Sequence, residues 1–204
     1  MNLLRVVMLS LLLAVFFLPQ SAMAQTDSPT SGYGDTDSDA SETGRSGDFD
    51  RERDAGAKLN DPDEIAPRLA GIRDHCGGAD VYVVDCLAER LDVLEKSMDQ
   101  LAGYGDARRI LRDTAAQLRQ ITQDNVDENR PKARMASADG SFRSTRPLTA
   151  VSAAQKRRAI SQAVAVLVEA ETQLLRSADA SSGRAVQYQQ IAAALGSNKV
   201  LLRS

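Results

Sequence analysis

Val84, Leu87, Leu91, Leu94, Met98 and Leu101 follow one another at alternating intervals of three and four residues. That spacing keeps every large apolar side chain on one side of an α-helix. A strand, with a side-chain period of two, would scatter them over both faces. Asp85, Glu89, Arg90, Asp92, Glu95, Lys96 and Asp99 fill the other positions and are expected to face water. Gly103-Tyr104-Gly105 then interrupts the pattern, because two glycines in a helix interior cost about 2 kcal/mol relative to alanine. Asp106 is the expected N-cap of a second helix, whose seam is Ala107, Leu111, Thr114, Leu118 and Ile121. A short connection between two amphipathic helices makes them antiparallel neighbours.

A second pair of helices is expected nearer the C-terminus. Thr149 or Ser152 caps a helix that runs from about residue 152 to 178 through Ile160, Val164, Leu167, Val168, Leu174 and Leu175. Ser181-Ser182-Gly183 breaks it. A further helix carries Val186, Tyr188, Ile191, Ala192 and Leu195, with Gly196 as a natural C-cap, and Val200-Leu201-Leu202 is expected to pack back on the bundle. Residues 124–150, punctuated by Pro131, Gly140 and Pro147, read as a long connection without apolar periodicity. Aromatic residues make up 4% of the chain and tryptophan is absent. Leucine, alanine and valine must therefore fill the core, which favours helices over sheets. The expected fold is all-α: two antiparallel helical hairpins forming a small bundle over residues 61–204.

The N-terminus bears on compartment. Arg5, the apolar run Val6 to Leu18 broken only by Ser10, and Ala22-Met23-Ala24 have the order of a cleavable secretory signal peptide over residues 1–24. Cleavage is expected between Ala24 and Gln25, and the destination is periplasmic or secreted. The run is shorter than the roughly 20 residues that span a bilayer, and no later segment has 18 consecutive apolar residues, so no membrane span is expected after cleavage. Residues 25–64 hold 12 acidic and four basic residues, with Tyr33, Phe49 and Leu59 isolated among small polar ones. Such a stretch buries too little to offset its ordering entropy, and residues 25–60 read as a disordered acidic tail. The remainder is basic, and the excess is concentrated: from Arg130 to Arg158 the chain has Arg130, Lys132, Arg134, Arg143, Arg146, Lys156, Arg157 and Arg158 against Asp139 alone.

Cys76 and Cys86 are the only cysteines. In an exported chain the default reading is a structural disulfide, with an intermolecular bridge and metal or redox chemistry as alternatives. The approach can itself be a short helix with Pro62 at its first position, and Gly77-Gly78 permits the reversal that brings the two cysteines within about 7 Å. His75 is the only histidine and reads as a solvent-facing neighbour of the bridge. Zinc-type ligand spacing, a nucleophile elbow, a phosphate loop and a dinucleotide fingerprint are all absent from the sequence. No catalytic residue, metal or cofactor is expected, and the chain does not read as an enzyme, although paired carboxylates leave no local signature.

From Cys76 through Asp85-Cys86-Leu87-Ala88-Glu89 into Leu91, Leu94 and Leu101, the chain resembles the small helical cysteine-bearing domain of the LprI-type lysozyme-inhibitor family. That family also places one cysteine about ten residues before a second that opens an amphipathic helix. The resemblance covers residues 76–104 and implies a lysozyme-inhibitor-like role. It leaves the helical C-terminal half unexplained, and the chain has only two cysteines.

Two readings of function follow from the residues themselves. The first is a protein-interaction or structural module of the cell envelope, meeting an envelope protein or a second copy of itself through the Val84–Leu101 seam. The second is a binder of anionic envelope material through Arg130–Arg158, by phosphate or carboxylate pairing, with the acidic tail masking the basic stretch. Phe142 alone interrupts the basic residues as an aromatic, so base stacking is not supported and nucleic acid is not an expected partner.

Overall fold

The computed structural model describes residues 56–136 and 142–203. The signal peptide, the Ala24–Gln25 cleavage point and most of the acidic segment 25–60 lie outside the described residues. The last of that segment belongs to the fold. Leu59 is completely buried and its N–H donates to the Ser97 carbonyl, while Lys58 pairs with Asp99.

Five α-helices account for the described architecture: α1 Ile65–Cys76, α2 Val83–Ser97, α3 Gly105–Asp124, α4 Lys156–Asp179 and α5 Ala185–Ser197. A 3-10 turn, Pro62–Glu64, leads into α1. The Asp61 carboxylate caps it by accepting from the Asp63 N–H, and Pro62 sits where a missing N–H does no harm. Each helix packs on the next along the chain, and α5 returns to α1, so the two hairpins α2–α3 and α4–α5 close into one bundle. Asn198 fastens the return. It is fully buried and donates from Nδ2 to the Leu69 carbonyl of α1 and the Ala194 carbonyl of α5.

The expected seams form much of the core. Val84, Leu87, Leu91, Leu94 and Met98 of the first are buried, as are Ala107, Leu111, Thr114, Leu118 and Ile121 of the second. The Val84–Met98 seam therefore meets the chain's own helices and presents nothing to a partner helix. On α4 the core face differs from the expected one. Ala159, Ala163, Leu167, Ala170, Leu174 and Ala178 point inward, while Val168 and Leu175 are exposed. Small side chains let α4 lie close to its neighbours, and the bulkier valine and leucine rotate out.

Helix starts also differ from the sequence reading. Asp106 lies inside α3, which begins at Gly105 with Tyr104 in the capping position and no side-chain cap. Asp106 instead places a negative charge in the first turn, favourable to the helix dipole, and pairs with Arg109. Neither Thr149 nor Ser152 caps α4, because a turn at residues 152–155 delays the helix until Lys156. Asp80 opens a 3-10 turn, Asp80–Tyr82, ahead of α2 and takes a left-handed φ of 45°. A short polar side chain tolerates that conformation better than a branched one. Its carboxylate accepts from Lys156 Nζ at 2.6 Å, and this hydrogen bond, with the lysine's charge, holds the carboxyl below its usual range.

Residues 125–136 and 142–155 form an arm rather than a loose connection. Antiparallel bridges join Val126 to Val151, Ala133 to Leu148 and Ala136 to Arg143, so the arm doubles back on itself without forming a sheet. Phe142, Leu148, Ala150 and Val151 are buried. The Val151 N–H donates to the Val81 carbonyl, and the Tyr82 hydroxyl donates to the Pro131 carbonyl. These bonds seat the arm against the start of α2.

Cys76, the last residue of α1, is bonded to Cys86 in the first turns of α2, with Cα atoms 5.8 Å apart. The reversal needs Gly77 for lack of space: a Cβ there would stand 2.8 Å from the Arg73 carbonyl oxygen. Both half-cystines are buried. Closing so short a loop restricts the unfolded chain by about 2–3 kcal/mol. Chemical denaturation of the oxidised chain and of a Cys76→Ser/Cys86→Ser variant should differ by that amount, with the variant less stable and the bundle's helical circular dichroism retained in native buffer.

Candidate functional site

Helix α2 is covered on nearly every side. Asp85, Glu89, Arg90 and Glu95, all expected to face water, are only 3%, 1%, 4% and 5% exposed. The expectation fails for Asp85 and Glu89 because the arm lies across the face of α2 opposite its apolar seam, and for Glu95 because Arg108 of α3 reaches it at 3.1 Å. Charges withdrawn from water must be paired and hydrogen bonded, and these are. Asp85 accepts from both terminal nitrogens of Arg146, at 2.8 and 2.6 Å, and from the Thr149 N–H at 2.7 Å. Glu89, one helical turn on, accepts from Arg90 Nε at 2.5 Å and Nη2 at 2.6 Å. It also takes the Thr145 N–H at 2.8 Å and the Thr145 hydroxyl at 2.6 Å. Two carboxylates from one helix thus hold Thr145, Arg146 and Thr149 of the arm.

Burial works to raise the Glu89 carboxyl. The Arg90 hydrogen bond and charge, together with the two Thr145 donors, outweigh it and hold the group below the ordinary range. Beside this pair the Arg90 guanidinium lies over the Phe142 ring, 4.6 Å from its centroid. His75, expected to face solvent, is only partly exposed, and its ring stacks on Phe142 at 4.5 Å. Phe142 thereby links the disulfide end of α1 to the buried pair on α2.

Where the arm leaves α2 and approaches α3, a cleft of about 360 Å³ opens. Arg119 and Gln123 of α3, Lys132, Arg146 and Thr149 of the arm, and Asp85 of α2 are among the residues lining it. Three cationic side chains from two elements therefore converge over one buried carboxylate. Arg119 also reaches Asp92 at 3.3 Å, and Asp92 accepts from Lys96 at 2.8 Å.

The basic stretch is divided by the fold. Lys132 and Arg146 line the cleft. Arg134 donates to the Ser144 and Thr145 carbonyls within the arm, Arg130 approaches Asp127 at 3.7 Å, and Lys156 holds Asp80. Arg143, Arg157 and Arg158 are exposed and do not line the cleft. Sequence reasoning missed Asp85 and Arg119. The available signal was the acidic pair Asp85 and Glu89, one turn apart, matched against a basic segment that follows in the chain.

Among the described residues no group of three histidine, cysteine, aspartate or glutamate side chains is placed to hold a metal ion, and no helix is long and apolar enough to cross a membrane. The chain matches no protein-family model, no curated protein and no solved structure.

Glu89→Gln keeps an acceptor for Thr145 but removes the charge that Arg90 Nε meets at 2.5 Å. Removing one partner of a buried pair costs about 3–5 kcal/mol, and equilibrium denaturation at pH 7 should register a loss of that order. The depressed carboxyl also fixes a sign. Its contribution is complete above the unfolded-state value of 4.5 and is lost as pH falls through the lower folded-state value. The wild-type chain should lose stability with acid below that point more steeply than the Glu89→Gln variant, as read from denaturation midpoints between pH 3 and 6.

Proposed function

We propose that this chain is an exported helical binding protein whose cleft between α2, α3 and the arm holds an anionic group of cell-envelope material. The observation that carries the reading is the convergence of Arg119, Lys132 and Arg146 on one cleft. Positive side chains brought together from separate elements repel one another, and the fold sets them beside Asp85, which Arg146 holds, and Asp92, which Arg119 shares with Lys96. A phosphate or carboxylate placed there would relieve the repulsion through charge-assisted hydrogen bonds. The disulfide supports an oxidising compartment, in keeping with the expected signal peptide. Binding is proposed in preference to catalysis because the carboxylate nearest the cleft is already occupied. Both Asp85 oxygens accept from Arg146, and one also accepts from Thr149, leaving the group poorly placed to exchange a proton with a substrate.

The reading moves away from a partner helix because the seam that suggested one is spent inside the bundle. It is tested by measuring binding of the mature chain to lipopolysaccharide micelles and to neutral phosphatidylcholine vesicles. Binding should be confined to lipopolysaccharide and should weaken as salt is raised toward 0.5 M. Lys132→Ala should lower affinity about fivefold to tenfold without altering thermal stability, since Lys132 is exposed and makes no ion pair among the described residues. Equal binding to neutral vesicles, or an unaltered affinity in Lys132→Ala, would sink the proposal.

A further inference from the structure

The three cations of the cleft are not equally available. Arg146 is committed, since its two terminal nitrogens form a planar fork on Asp85. Withdrawing it would strand a carboxylate that is 3% exposed. Arg119 has only a share in Asp92, whose other oxygen is taken by Lys96 at the shorter distance. One carboxylate thus serves two cations. Lys132 makes no ion pair among the described residues. The cleft is therefore left with one positive charge without a carboxylate, on Lys132, and a second, on Arg119, that shares its carboxylate with Lys96.

These donors come from different directions, Arg119 and Gln123 from α3 and Lys132 and Thr149 from the arm. A carboxylate carries one charge and accepts in one plane, and of the two planar forks in the cleft that of Arg146 is already filled by Asp85. A phosphate monoester carries close to two charges at neutral pH and offers three terminal oxygens around a tetrahedral centre. We infer that the cleft selects a phosphate monoester in its dianionic form. The inference rests on the proposed anion site and names its ligand class. The monoester could be borne by a lipid or by a soluble sugar or polyol. The shared chemistry is the terminal phosphate, and a cleft of about 360 Å³ has room for it and the first groups attached to it.

A dianion preference has a signature that a general attraction to anions lacks. The second ionisation of a phosphate monoester lies near pH 6, so affinity should follow it. The charged groups facing the site are Asp85 and Asp92 from α2, Arg119 from α3, and Lys132 and Arg146 from the arm, and no histidine lines the cleft. Sulfate, doubly charged throughout, controls for any titration of the protein itself.

The mature chain should be titrated with glycerol 3-phosphate, sulfate and acetate by calorimetry at fixed ionic strength between pH 5 and 7.5. The expected result is phosphate-ester binding at pH 7.5 at least tenfold tighter than acetate. It should fall toward tenfold per pH unit below about pH 6, while sulfate binding stays flat. Lys132→Ala should remove most of the difference between phosphate ester and acetate. Vesicles carrying phosphatidic acid, a monoester headgroup, should be compared with vesicles carrying the diester phosphatidylglycerol. Preference for phosphatidic acid with no binding of glycerol 3-phosphate assigns the ligand to a lipid, and the reverse assigns it to a soluble molecule; either supports the inference. Equal binding of acetate and phosphate ester, or pH-independent binding of the ester, overturns the monoester assignment and leaves the anion site standing. Failure of every probe, lipopolysaccharide included, overturns both.

Discussion

Two buried carboxylates on α2 hold the architecture together. Asp85 and Glu89 have lost their water, and what replaces it comes largely from the arm: a guanidinium fork, a hydroxyl and two backbone N–H groups. The dependence runs in both directions. The arm has too few bridges to form a sheet, so its own N–H groups at Thr145 and Thr149 would lack acceptors without the helix. In an ordinary sheet a neighbouring strand satisfies such groups. Here a helix does so with side chains, and the arm is seated so that Phe142, Ser144, Leu148, Ala150 and Val151 are buried.

The cleft follows from the same arrangement. Arg146 is drawn down to Asp85, and Lys132 of the arm and Arg119 of α3 line the same cleft beside it. The site is thus made from what the buried charges leave over: cations that the fold gathers while neutralising α2, in excess of the carboxylates available there. A different solution, such as an apolar α2 face covered by an apolar arm, would have removed both the charges and the cleft.

Much of the helical framework was legible from periodicity alone, because apolar spacing reports directly on which side of a helix is buried. The seams of α2 and α3 needed only the rule that large apolar side chains share a face. Periodicity could not show that the polar face of α2 is buried too, since Asp85 and Glu89 look the same in sequence whether they meet water or an arm arriving some sixty residues later. On α4, valine and leucine drew attention away from the alanines that make the contact, because close packing rewards small size and hydropathy does not record it. Of the cleft, Lys132 and Arg146 stood out in a basic run. Arg119 did not, as one arginine among several polar residues on α3. Helix caps were misplaced where backbone turns took the capping position, as at Tyr104 and Gln155.

The burial of the disulfide between α1 and α2 has a bearing on its exchange. Thiol–disulfide exchange needs an attacking thiolate to reach a sulfur in line, and both half-cystines are buried. Exchange in the folded chain therefore requires the α1–α2 corner to open, so the bridge is tied to the local stability of that corner as much as to the redox conditions around it.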